Sequence, residues 1–149
     1  MNKHFVNLEN ARVDEQRAVM SQIIKDGVCP FCSEHLTKYH TKPTLREGKF
    51  WLLTPNQWPY ENTKHHLLAI TKTHIEHFKD LPEGALEELR EHFVWATKKF
   101  NIKGGGIAIR FGDSDLAGST VRHLHAQLVE PDLESPDYKP VRIKIGRSK

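Results

Sequence analysis

The segment His123-Leu-His125-Ala-Gln127-Leu-Val129 spaces two imidazoles and an amide two residues apart. At strand periodicity His123, His125 and Gln127 share one face, and Leu124, Ala126 and Leu128 share the other. Such a face makes a poor core and a good reactive surface. It could carry a nucleophile, the residue that orients it and a donor for an anionic oxygen. The bland alternative is an exposed strand in a chain that has 10 histidines, from His4 to His125. The only cysteines, Cys29 and Cys32, stand in Cys-Pro-Phe-Cys. They could be a redox pair, half of a metal site or incidental thiols. A redox pair of the thioredoxin kind opens a helix after a core strand. Here the residues before the motif read as a helix closed by Gly27, which suits a metal knuckle better. A closed site would draw two histidines from elsewhere. His74 and His123 both flank candidate strands, yet the residues alone do not rank them above His35 or His40. His92, among polar neighbours on a helix, reads as exposed.

These side chains need a scaffold, and apolar spacing supplies one. The first dozen residues read as irregular, and residues 14–26 as a helix with Val19, Met20 and Ile23 inward. The stretch from Ser33 to Lys49 is polar and gives no local signal. Phe50 to Thr54, His66 to Ile70, Ile107 to Phe111 and the histidine motif are strand candidates, and Val141 to Ile145 a fifth at the edge. Trp58-Pro-Tyr60 is a rigid turn. Asp80 and Glu83 have capping-box spacing before a helix whose stripe is Leu86, Leu89, Phe93, Ala96 and Phe100. Gly104-Gly-Gly106 lacks dinucleotide-fingerprint spacing and precedes a strand, so it reads as a tight turn. Gly118-Ser119-Thr120 is the better phosphate candidate, with backbone N–H groups and two hydroxyls just before the motif. Two main helices among five short strands predict an α+β fold with a mostly antiparallel five-stranded sheet, in a single domain over residues 1–149.

Bulk properties narrow the classes. With 38% apolar and 28% charged residues the chain reads as globular, and no run approaches a membrane span. The start resembles no signal peptide and there is no disulfide framework, so the expectation is cytoplasmic. A net charge of +3 tolerates anionic partners without demanding nucleic acid. The tail from Lys139 through Arg142, Lys144 and Arg147 to Lys149 alternates with Val141, Ile143 and Ile145, like a charged edge strand.

The motif, taken with Cys-x-x-Cys, Asn56-Gln-Trp-Pro-Tyr60, His66 to His74 and Gly118 to His123, resembles the histidine-triad superfamily over roughly Cys29 to Val129. Glutamine in the third place is similar to the branch of galactose-1-phosphate uridylyltransferase and the dinucleoside-polyphosphate phosphorylases. The resemblance implies zinc held by Cys29, Cys32, His74 and His123, and His125 as nucleophile. It also implies a homodimer and a nucleotide or dinucleoside polyphosphate whose α-phosphate lies over His125. Gln127, Ser119 and the Gly118–Thr120 backbone would stabilise the phosphate oxygens, and Asn56 would meet ribose or phosphate. Glutamine cannot titrate near neutrality, so phosphate leaving groups suit it better than amines. At 149 residues the chain is short for a uridylyltransferase, and Arg110-Phe-Gly-Asp113 lacks an asparagine frequent there in triad hydrolases. The expected activity is nucleotidyl hydrolysis or phosphorolysis. The alternatives are a nucleotide-binding adaptor, a zinc-stabilised nucleic-acid module and a redox role for the cysteines.

Overall fold

The computed structural model describes residues 5–148, so the expectations touching His4 and Lys149 lie outside the described residues. Five strands form one antiparallel sheet: β1 (Arg46–Glu47), β2 (Trp51–Pro55), β3 (Thr63–Thr71), β4 (Gly106–Arg110) and β5 (His125–Pro131). Their order is β1-β2-β3-β5-β4, which seats β5 between β3 and β4. The helices are α1 (Asp14–Asp26), α2 (Ser33–Tyr39), α3 (Ala85–Lys99) and the short α4 (Ser114–Ala117). The α+β expectation and the antiparallel sheet are borne out.

One face of the sheet is apolar because alternate residues of three strands agree in phase. Trp51 and Leu53, Leu67 and Ala69, and Ala126 and Leu128 meet Leu89, Phe93 and Ala96 of α3. Each large side chain buried there contributes about 1.5–3 kcal/mol. The Trp51 indole N–H donates to the Ala85 carbonyl at 2.7 Å, fixing α3 on the sheet. Glu88, one turn on, accepts the backbone N–H groups of Lys49, Phe50 and Trp51 and so locks the β1–β2 turn. On the other face Leu68 and Ile70 pack on Leu36 of α2, while Met20 and Ile23 of α1 pack with Val6 and Tyr39.

Several expectations need correction. The fifth strand is Arg46–Glu47, and Val141 to Ile145 is not a strand. Pro140 offers no N–H, and the Lys144 carbonyl accepts from the Arg110 side chain, so the tail crosses the molecule as an irregular strap. Asp80 does not cap α3. It ends a 3-10 turn at Phe78–Asp80, and the helix starts after Gly84, whose left-handed backbone (φ 88°) interrupts the chain. The inward stripe of α3 is Ala85, Leu89, His92, Phe93 and Ala96, so Leu86 is exposed and His92 is buried. The silent stretch after Ser33 holds α2 and β1, and the irregular start contains a 3-10 turn at Leu8–Asn10. Gly27 closes α1 in the left-handed conformation, as its position implied.

Candidate active site and metal centre

The chain between α1 and α2 is the Cys-Pro-Phe-Cys loop. It brings Cys29 and Cys32 against His74, just past β3, and His123, just before β5. The four ligand atoms lie within 4.8 Å of one another, a cluster that could hold a metal ion. Each imidazole presents Nδ1 to sulfur. His123 Nδ1 is 3.4 Å from Cys29 Sγ and 3.7 Å from Cys32 Sγ, and His74 Nδ1 is 3.4 Å from Cys32 Sγ. The opposite nitrogens are occupied. His123 Nε2–H donates to the Thr71 carbonyl at 2.6 Å, and His74 Nε2 pairs with Glu76 at 3.0 Å. That leaves both Nδ1 lone pairs for a cation, the arrangement that orients metal-bound histidines. Burial and the neighbouring Cys29 push the Cys32 thiol up to about 12, which disfavours a reactive thiolate unless a cation is bound. His35 and His40 are not in the cluster. His40 Nε2–H donates to Thr54 Oγ1 at 2.7 Å instead.

His123 itself precedes the strand, which begins at His125. The motif face is also not an exposed surface: His125 is 7% and Gln127 4% exposed. Both nevertheless line a cavity of about 550 Å³ above the sheet. His125 Nδ1–H donates to the His123 carbonyl at 2.8 Å, so Nε2 carries the lone pair. Burial, with Arg110 adding to it, lowers the His125 pKa to about 4 and keeps the ring neutral. Phe31, between the two cysteines, packs edge-on against the His125 ring at 5.2 Å and the His123 ring at 6.1 Å. One aromatic side chain thus touches both the cysteine–histidine cluster and the cavity histidine.

His66 orders the polar row beyond His125. The Tyr60 N–H donates to His66 Nδ1 at 3.1 Å, which requires the lone pair there and puts the ring proton on Nε2. That proton goes to Gln127 Oε1 at 2.7 Å. The Gln127 carbonyl is therefore occupied, and its amide N–H₂ is left as the donor for a cavity ligand. Asn56 accepts the Trp58 N–H through Oδ1 at 2.7 Å, and its Nδ2 lies 3.1 Å from His66 Nε2, so the amide stands with its N–H₂ beside the His66–Gln127 pair. Burial holds His66 down to about 4, which preserves this pattern at neutral pH.

Gly118 and Thr120 line the cavity, and Ser119 does not. Ser119 is buried and its carbonyl accepts the Asn10 amide at 2.9 Å. Gly118 has φ 74°, and a Cβ there would collide with the Gly146 backbone, so the loop and the tail meet without a side chain between them. The sequence reading missed Arg12, Tyr60, His66, Arg110 and Lys144, all but His66 lining the cavity. Antiparallel pairing of Arg110 with His125 is the signal that would have found the first basic neighbour.

Comparison with solved structures finds the same architecture in histidine-triad proteins. A histidine triad nucleotide-binding protein from Candida albicans is 19% identical, with 78% of this chain and 86% of that chain covered and a TM-score of 0.60. A HIT family hydrolase from Clostridium thermocellum is 22% identical over 72% of this chain and 94% of that one, TM-score 0.56. A zinc-bound histidine triad family protein from Mycobacterium smegmatis is 23% identical over 71% and 76%, TM-score 0.52. The chain therefore has the histidine-triad fold. No family model and no curated protein matches it.

Proposed function

We propose that the protein is a histidine-triad enzyme that transfers or hydrolyses nucleotidyl groups of nucleoside phosphate anhydrides or esters. The observation that carries this reading is the neutral His125 ring, pinned through Nδ1 with Nε2 open on the cavity. Nε2 attacks the α-phosphorus, an N–P bond forms, and the P–O bond to the leaving group breaks, releasing that group as an anion. Water or inorganic phosphate then displaces the imidazole, any surplus proton passing to solvent. The Gln127 and Asn56 amides and the Gly118–Thr120 backbone stabilise charge on the non-bridging oxygens. Ser119 acts behind them, through Asn10.

Cys29, Cys32, His74 and His123 fit zinc in chemistry and in spacing. Sulfur and nitrogen around a tetrahedral zinc lie about 3.5 Å apart. The closest pairs here are 3.4 Å apart. Bound there, zinc would act structurally, tying the Cys29–Cys32 loop to both ends of the catalytic segment. The molecule is a single domain that pairs as a homodimer along β4, the sheet edge that exposes Ile107. A nucleic-acid role is less favoured because the basic tail is folded over the cavity.

The test is turnover of dinucleoside polyphosphates and nucleoside diphosphate sugars, with and without inorganic phosphate. His125→Ala is expected to lose at least about 1000-fold in rate, and acid-labile phosphoramidate should be trapped on the parent alone. Equal rates in parent and variant would refute the mechanism.

A further inference from the structure

The cavity is strongly basic in a way that His125 chemistry does not require. Its lining includes Arg12, Arg110, Lys139, Arg142 and Lys144, against a single acidic residue, the exposed Glu61. Among the described residues, Arg12, Arg110 and Lys144 make no ion pair, although other surface cations of the chain do. Three neighbouring cations without a counter-charge repel one another, and a bound polyanion would relieve that repulsion.

The three side chains are also held in place. Arg110 is paired with His125 across β4 and β5, so the two side chains project from the same face as neighbours. Its Nε–H donates to the Lys144 carbonyl at 2.9 Å, leaving the terminal guanidinium nitrogens for a ligand. Lys144 Nζ is fixed by Asn10 Oδ1 and Ser148 Oγ, each at 2.7 Å, and Asn10 is anchored on Ser119. Arg12 lies 4.4 Å over the Tyr60 ring and donates to the Trp58 and Pro59 carbonyls. Desolvation lowers the pKa of Arg12 and of Lys144, and Arg110 lowers both further, as expected of neighbouring cations.

We infer that Arg110, Lys144 and Arg12 form a second anion subsite beside His125, built to grip the oligophosphate part of a ligand beyond the phosphorus that His125 attacks. The inference rests on the nucleotidyl reading only for which part of the substrate is gripped. Binding of an oligophosphate as such does not depend on turnover. The subsite joins three segments far apart in sequence: the start of the chain, β4 and the tail. A substrate whose leaving group carries two or more phosphates would meet all three cations. A sugar or amine leaving group would leave them unpaired.

Calorimetry with inorganic tripolyphosphate and with orthophosphate tests the subsite directly. Tripolyphosphate should bind with one-to-one stoichiometry and at least about tenfold tighter than orthophosphate. Arg110→Gln and Lys144→Gln should each weaken it by about tenfold or more, whereas Arg110→Lys should recover most of the affinity and show that the variants are folded. Lys103→Gln, outside the cavity, should change nothing. Equal affinity for the two anions, or tripolyphosphate binding undiminished in both glutamine variants, overturns the subsite. The two readings fail separately. Tripolyphosphate binding as expected without His125-dependent turnover keeps the subsite and removes the enzyme. His125-dependent turnover that is as fast with a neutral leaving group, and unaltered in Arg110→Gln, removes the subsite alone.

Discussion

At the scale of single residues, proton placement decides what the cavity offers. Tyr60 N–H fixes the His66 tautomer, His66 fixes the Gln127 amide, and the His123 carbonyl fixes His125. Protonating His66 would put a second ring proton where Tyr60 already donates. Its pKa is about 4 in the fold against 6.5 for the free side chain. Between those values the unfolded chain binds a proton that the folded chain refuses, so stability rises with pH there. His66 neutrality contributes fully above about 6.5 and its contribution is lost as pH falls toward about 4, by about 3 kcal/mol at about 1.4 kcal/mol per unit. Urea unfolding from pH 4 to 7 should show the slope of stability against pH reduced by up to one proton in His66→Gln. An unchanged slope would refute the assignment. The sequence displayed the histidines and the glutamine but not this pattern, because Tyr60 and Asn56 reach His66 only through the bend before β3.

At the scale of elements, periodicity was legible where a whole face is apolar and misleading where one face is mixed. α1, β2, β3 and β4 were found within a few residues because runs or stripes of apolar residues mark them. The stripe of α3 holds at Leu89, Phe93 and Ala96 and fails at its start, where Leu86 is exposed. Leu86 looks like core and Ala85 does not, yet Ala85 and His92 join Leu89, Phe93 and Ala96 on the face that meets the sheet. β1 is two residues long and polar, too short to carry a pattern. The tail alternates like a strand, but it joins no ladder, and Lys139, Arg142 and Lys144 line the cavity while Ile145 is exposed. β4 supplies the prediction at this scale. Among the described residues it pairs only with β5, and Ile107 on it is 60% exposed, with Phe111 exposed just beyond. Ile107→Lys should convert a dimer into a monomer by light scattering with little loss of secondary structure. A parent protein that is already monomeric at micromolar concentration would refute pairing along β4.

At the scale of the whole molecule, the Cys29–Cys32–His74–His123 cluster and the cavity are one mechanical unit. The Cys29–Cys32 loop ties α1 and α2 to the end of β3 and the approach to β5, and its Phe31 bears on His125. The cluster was legible only in part. The cysteines announce themselves, whereas choosing His74 and His123 among ten histidines took the resemblance, and the structure places those two together. Removing metal with a chelator should lower the melting temperature by about 10 °C or more, since a ligand bound only by the folded state stabilises it by mass action. Phe31→Ala should keep the metal, by stoichiometric analysis, yet lower kcat by about tenfold while KM changes little. Metal loss in that variant, or unchanged kcat, would refute the coupling.

The polar face of β5 and its neighbours has a further consequence for how this chain can change over generations. His66 and Gln127 lie in the interior as a hydrogen-bonded pair, and apolar residues of similar volume replacing both would remove a buried polar network. On the proposed function, that pair is kept for the ligand it orients rather than for stability. Selection for heat resistance alone would erode this row before it touched the α3 face, yielding a sturdier fold with a silent cavity.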